Sequence, residues 1–502
     1  MSAAELISTT PEAVSTGVSG LDDILAGGFA SRRLHLIEGL PGTGKTTLGL
    51  QFLMAGRDAG EAGLYVTLSE TREELLQGAA SHGWSLDGIE LCELAPPELT
   101  MDPSHEQTVV YSSDLELGET IRTVMDVLKR VKPTRLVFDS ASEIRLLSQT
   151  PLRYRRQILA LKHVIAQLGC TALLLDDLSE RQDQSSLHSL AHGVIHLEQI
   201  AIQYGAERRR LRISKMRGRQ FRGGYHDITL REGGMTIFPR LVASEHAQMG
   251  DEGPAPSSVA HLDALVGGGL DRGTSNLILG PSGSGKSTLA LAWIHAALKR
   301  GEKVLMVCFD ETLRVMLRRA EGIGVELQPH IDSGLLVVEQ VDPAELTPGE
   351  LSGMVRKCVD DGAQVVVLDS LSGYQNAMPE EVFLTLQMHE LLTYLSHKGV
   401  LTILVLAQHG LFGPMQTTVD LTYISDTVLL LRFFEAGGEI KRALSVLKKR
   451  TSGHENYIRE FRIDAGGVRV GPVLEQFQGV LTGVPTYSGT SSDLLRARGH
   501  DD

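Results

Sequence analysis

Two octapeptides carry the residue types that grip a chain of phosphates. GLPGTGKT (Gly39–Thr46) and GPSGSGKS (Gly280–Ser287) both fit the pattern Gly-x(4)-Gly-Lys-Ser/Thr. Glycines at 39, 42 and 44, and again at 280, 283 and 285, let successive backbone N–H groups curve around phosphate oxygens. The helix that starts there adds the partial positive charge of its N-terminus. Gly39, Gly42, Thr43, Gly44, Lys45, Thr46 and Thr47 thus form one candidate ATP cradle. Gly280, Gly283, Ser284, Gly285, Lys286, Ser287 and Thr288 form the other. In each, Lys45 or Lys286 reaches the β- and γ-phosphates, and Thr46 or Ser287 offers a hydroxyl to Mg²⁺.

A magnesium site also needs a carboxylate at the end of a neighbouring strand. Asp139 in RLVFDS and Asp369 in VVVLDS each close an apolar run and precede Ser. They read as the metal-side acids, with a helix-capping Asp as the other reading. Hydrolysis needs a group that orients water or a hydroxyl. Candidates end the strand after the phosphate-loop helix: Glu70 in LSET, and Asp310 with Glu311 in FDET. A solvated acid opening a helix is the alternative. Two Lys-x-Arg pairs recur late in each half, Lys215 with Arg217 and Lys448 with Arg450. Alternate residues of a strand share a face. Cations so placed, far in sequence from the loops, suggest arginine-finger work across a subunit boundary, or else a solvated strand face.

The elements that must position these groups come twice. GVSGLDDILAGG…GLPGTGKTTLGL and SVAHLDALVGGG…GPSGSGKSTLAL align at one offset of 241 residues, which holds through LYVTLSET and LMVCFDET. RLVFDS and VVVLDS align at an offset of 230. Expected strands are Leu34–Glu38, Leu64–Leu68, Leu136–Asp139 and Ala172–Asp176, then Leu277–Leu279, Val304–Phe309, Val365–Asp369 and Leu401–Ala407. Helices are expected near Thr46–Ala59, Arg72–Ser81 and Tyr154–Leu168. Short apolar runs separated by helical patterns predict a mostly parallel sheet wrapped by helices. Val194–Glu198, Arg210–Lys215, Val428–Phe433 and Ala443–Lys448 predict a C-terminal hairpin extension. The expected division is a first domain over 1–245, a linker over 246–258, a second domain over 259–470 and a tail over 471–502.

Composition narrows the class. The 502 residues are 42% hydrophobic and 22% charged, which excludes disordered and fibrous classes. A net charge of −14 argues against sequence-blind binding to nucleic acid. Cys92, Cys170, Cys308 and Cys358 stand far apart, with no Cys-x-x-Cys pair. That pattern predicts thiols of a reducing cytoplasm rather than a cysteine zinc site or disulfide scaffold. The N-terminus reads as no signal peptide, and no apolar run approaches the roughly 20 residues of a membrane span.

STGVSGLDDILAGG, both phosphate loops, the SET and DET acids, VFDS and VLDS, and KMRG and KKRT together resemble the KaiC-type family. These are tandem RecA-like P-loop ATPases, and the likeness runs from about Thr16 to Thr486. FQGVLTGVPT resembles the segment that lines the pore end of the family's ring. The resemblance implies a homohexameric double ring with ATP and Mg²⁺ at subunit interfaces. Lys215 and Arg217 would reach the first ring's nucleotide from the neighbouring protomer, and Lys448 and Arg450 the second ring's. It implies an ATPase first ring and a self-phosphorylating Ser/Thr kinase second ring. The family's Ser-Thr acceptor pair lies at Thr422-Tyr423, ahead of Ile424, Ser425, Asp426 and Thr427. A tyrosine thus replaces the second acceptor, and the family's Glu-Glu becomes Ser69-Glu70 and Asp310-Glu311. Thr422, Tyr423 and Ser425 remain candidate acceptors. These departures favour a non-clock relative, with sensor kinases or response regulators as candidate partners. Two other readings stand beside it: a RecA-like nucleic-acid motor using the basic runs ERRRLR (Glu207–Arg212) and Arg217–Arg222, and a nucleotide-gated scaffold with little turnover.

Overall fold

The apolar runs ahead of each phosphate loop become central strands because both of their faces are covered. Leu34–Gly39 and Ser275–Gly280 are buried along their whole length. The computed structural model describes residues 12–94, 113–148, 150–178, 185–201, 205–242, 253–376, 384–408, 421–481 and 485–488. Residues 246–252 of the expected linker lie outside them, as does the expected tail beyond 488. The chain divides into two compact units, residues 1–203 with 207–240, and residues 204–206 with 241–502.

Each unit is a RecA-like α/β domain built on one nine-stranded sheet. In the first, the order runs Ile89–Glu93, Gly63–Thr67, Arg135–Asp139, Thr171–Asp177, Leu34–Gly39, Gly193–Ile200, Arg208–Met216, Tyr225–Arg231, Gly234–Phe238. The first six are parallel and the last three antiparallel. The second repeats the plan with Leu336–Gln340, Lys303–Cys308, Ala363–Asp369, Leu401–Ala407, Ser275–Gly280, Thr427–Ala436, Glu439–Lys449, Arg459–Asp464 and Gly467–Val473.

Helices cover both faces. Lys45–Asp58 lays Leu48, Phe52 and Leu53 against Tyr65, Val137, Leu175 and Ile195 on one face. Pro151–Leu168 lays Tyr154, Ile158, Leu161 and Ile165 against the other. Each such side chain contributes about 1.5–3 kcal/mol when fully buried. The ends are set locally. Thr71 and Glu74 form a capping box at the start of Arg72–Ser81. Thr150 caps Pro151–Leu168, with Pro at its first position and Gly169 left-handed beyond its end.

Three features differ from the sequence expectation. The first strand of each expected hairpin extension is the sixth parallel strand, hydrogen-bonded directly beside the phosphate-loop strand. Only the later strands extend the sheet. Ile89–Glu93 and Leu336–Gln340 are edge strands that periodicity missed, since each buries one residue fully and leaves the others partly open. Strand Gly467–Val473 runs through residue 471, and Phe477–Gln478 pairs with Thr486–Tyr487, so ordered chain continues past the expected start of the tail.

Candidate active sites

Both phosphate loops turn by the same device. Gly42 and Gly44 have φ of +80° and +97°, and Gly283 and Gly285 have +77° and +98°, the left-handed region that favours glycine. A Cβ on Gly39 would lie 2.6 Å from the Leu197 carbonyl oxygen, and one on Gly280 would lie 2.8 Å from that of Leu431. The helices that follow begin at Lys45 and Lys286, with no side-chain cap and no acid in the first turn. Their first N–H groups are therefore left for an anion. Each loop opens on a cleft, of about 510 Å³ in the first unit and about 490 Å³ in the second. Both clefts lie at the C-terminal ends of parallel strands, where such sheets bind ligands.

Lys45 Nζ donates to the Gly39 and Leu40 carbonyls at 2.7 and 3.0 Å, and Lys286 Nζ to that of Pro281 at 2.8 Å. Burial lowers both lysines, and it pushes Lys286 down to about 8. Thr46 Oγ1 lies 3.4 Å from Asp139 Oδ2, and Ser287 hydrogen-bonds Asp369. Burial pushes both aspartates above the ordinary carboxylate range. A cation held between hydroxyl and carboxylate would reverse that shift, and this hard-oxygen donor set suits Mg²⁺. Tyr65 adds a hydrogen bond of 2.6 Å to Asp139, where the second unit has Met306.

The candidate catalytic acids differ between halves. Glu70 lines the first cleft, and burial beside Asp139 and Glu74 raises its carboxyl. Glu311 lines the second, but Arg319 grips it through two hydrogen bonds of 2.6 and 3.1 Å. At the 241-residue offset the first unit has Gly78 in place of that arginine. Asp310 accepts a hydrogen bond of 2.5 Å from Ser370 Oγ. Its counterpart is Ser69, which left the first site one acid short in sequence.

The structure supplies a second acid there from another element. Glu143, on helix Ala141–Leu147, lines the first cleft. Its counterpart at the 230-residue offset is Gly373, where a Cβ would lie 2.2 Å from Asp310 Oδ1. The match is structural: Ser142 Oγ accepts from the Asp177 N–H, and Ser372 Oγ accepts from the Ala407 N–H. One half therefore brings its carboxylate from the strand end and the other from the helix, into corresponding space. Sequence reasoning missed Glu143 and Arg319. The signal for Glu143 was its alignment opposite a glycine, next to an acid-for-serine exchange.

The Lys-x-Arg pairs have partners within the chain, which sequence reasoning did not find. Lys215 Nζ donates to the carbonyls of His188 and Ala191, and Arg217 to that of Ser189. Lys448 Nζ donates to the Thr422 and Ser425 carbonyls at 2.9 and 2.7 Å, and Arg450 to that of Tyr423 at 2.8 Å. Each pair thus staples the segment just before the sixth parallel strand. The candidate acceptors sit on that segment. Tyr423 is 57% exposed and Thr422 half-buried, whereas Ser425 has no exposed surface and bonds the Leu421 carbonyl. Ser425 is therefore a poor acceptor.

ERRRLR is largely absorbed by its own sheet. Arg208 is buried, Arg209 bonds the Gly42 carbonyl, Arg210 faces Asp227 and Arg212 stacks on Tyr225. That ties most of this run, one of the two basic runs behind the nucleic-acid reading, into contacts within the chain. Among the described residues, no helix is long and apolar enough to cross a membrane.

Comparison with known proteins agrees with this geometry. A family model described as "ATPase: KaiC" matches residues 14–242 and 255–475. The chain is 27% identical over 496 residues to the circadian clock oscillator protein KaiC of Thermostichus vulcanus, covering 97% of this chain and 94% of that one. It is also 27% identical over 486 residues to the circadian clock protein KaiC3 of a Synechocystis strain, covering 96% of each. To KaiC of Synechococcus elongatus it is 25% identical over 479 residues, 94% of this chain and 91% of that one. With two matched repeats, each centred on an uncapped phosphate loop, this chain belongs to the KaiC family of ATPases.

Proposed function

We propose that both units bind ATP with Mg²⁺ and hydrolyse it, and that the second also phosphorylates its own chain. Phosphates would lie on the N–H groups of residues 42–47 and 283–288, against Lys45 and Lys286. Thr46 with Asp139, and Ser287 with Asp369, would hold the metal. It would supply charge neutralisation at the phosphates. Glu70 with Glu143, and Glu311 with Asp310, would orient the attacking group and take its proton. In self-phosphorylation the Thr422 oxygen forms a bond to the γ-phosphorus, the bond from that phosphorus to the β,γ-bridging oxygen breaks, and ADP leaves. The Thr422 proton passes to the acid pair.

One observation carries the reading: the same uncapped loop, loop lysine bonded to a loop carbonyl and hydroxyl–aspartate contact occur in both halves. The kinase part draws on Lys448 and Arg450, which are anchored on the acceptor segment itself. A neighbouring protomer in a homohexameric double ring would present cations and acceptor together. Tyr423 in place of the second acceptor supports a non-clock role, with sensor kinases or response regulators as candidate partners in the cytoplasm. The test is a phosphopeptide map after incubation with γ-labelled ATP and Mg²⁺, on wild type and Lys286→Ala. Label at Thr422 or Tyr423 that disappears in Lys286→Ala is expected. ATP consumption without label on this segment would reduce the reading to an ATPase.

A further inference from the structure

The first unit carries a second cluster of ligand-bearing side chains that the nucleotide cleft does not use. Register places Glu38 beside Asp176 on one side and His196 on the other, a row across three adjacent parallel strands. His188 closes over the row from helix Ser185–Leu190. Its Nε2 lies 2.9 Å from both Glu38 carboxylate oxygens, and His196 Nδ1 lies 2.6 Å from one of them. The ligand atoms of Glu38, His188 and His196 all fall within 4.8 Å of one another.

The second unit shows what the fold itself requires at this row. The same register there joins Leu406, Leu279 and Leu430. Where the second unit has three leucines, the first has an aspartate, a glutamate and a histidine. Burying unpaired charges costs several kcal/mol each, so a sheet that accepts leucine gains nothing from them by packing alone. Glu38 is 1% exposed. Its carboxylate is paired with both imidazoles, His188 and His196. Asp176 gives one oxygen to Arg145, while its other oxygen, Oδ1, is buried with no hydrogen-bond partner.

We propose that Glu38, His188 and His196 bind a divalent transition-metal ion of the zinc class, with a fourth position left to solvent. Two imidazoles with carboxylate oxygen favour zinc, cobalt or nickel over magnesium or calcium. The outer contacts suit such a site. Ser214 Oγ lies 3.1 Å from His196 Nε2, which leaves Nδ1 to the ion. His188 is partly open to solvent, giving the ion an entry. The site also touches the first unit's cation pair: the His188 and Ser189 carbonyls hold Lys215 and Arg217, so an ion on His188 fixes the segment that carries them.

The test uses the full chain, stripped with chelator and titrated with Co²⁺ while its visible ligand-field absorption is followed. Zn²⁺ is then added in competition. The expected result is a four-coordinate cobalt spectrum that saturates at one ion per chain and is bleached by zinc. The double variant Glu38→Leu/His196→Leu copies the second unit's leucine pair, so it keeps its fold and should lose the spectrum. Ser214→Ala should weaken binding about 10-fold. An unchanged spectrum in the double variant, or none in the wild type, overturns the site and leaves a hydrogen-bonded Glu–His cluster.

Discussion

The charge state of Lys286 makes the second site's affinity depend on pH in a calculable way. Burial lowers its ammonium from 10.5 to about 8, with Asp369 opposing. A bound triphosphate restores the charged form by placing negative charge against it. Between about pH 8 and the ordinary lysine value, the complex therefore holds a proton that the free site lacks. Binding takes up that proton, and affinity falls as pH rises. With a free-site value near 8, the charged fraction is about 0.9 at pH 7, half at pH 8 and about 0.1 at pH 9. The dissociation constant should weaken about tenfold from pH 7 to pH 9, or ~1.4 kcal/mol. The Cys308 thiol stays silent in this window, since burial pushes it up to about 12. The assay is calorimetric titration of a non-hydrolysable ATP analogue with Mg²⁺ into Lys45→Ala, using buffers of different ionisation heat at each pH. Lys286→Arg keeps its charge and should abolish the buffer dependence. Equal affinities at pH 7 and 9 with no proton uptake would show that the lysine remains charged in the free site. That result would refute the argument from burial.

Two further outcomes follow from the asymmetry of the acids. Arg319→Ala frees Glu311 from a half-open bidentate pair, and phosphate release in a Lys45→Ala background should rise about 5- to 10-fold, corresponding to ~1 kcal/mol. A fall would place Arg319 in direct service of the nucleotide. Glu143→Gln should slow first-site turnover, measured in Lys286→Ala, by about 10- to 100-fold. The swap Ser69→Asp/Glu143→Gly should recover most of that loss by adopting the second site's arrangement, and unchanged turnover in Glu143→Gln would exclude the relocated carboxylate.

Much of this protein is legible in its sequence. The phosphate loops depend on a few consecutive backbone angles, so glycine spacing alone located them. The central strands lie where expected because strands buried on both faces read as unbroken apolar runs. The edge strands Ile89–Glu93 and Leu336–Gln340 escaped because half of each faces out. The partners of Lys215 and Lys448 escaped for another reason: backbone carbonyls accept without regard to side-chain type, so no sequence pattern marks them.

By itself the sequence determined two copies of one nucleotide-binding plan, and the identity of each loop lysine, hydroxyl and strand-end acid. Such features are fixed by neighbours within a turn or a strand. Only the tertiary structure decided that Glu143 lines the first cleft as Asp310 lines the second, that Arg319 pairs with Glu311, and that Glu38, His188 and His196 meet. Those groups come from separate elements brought together by strand order and register. Hydrogen bonding across the sheet sets that register, and it has no fixed spacing along the chain.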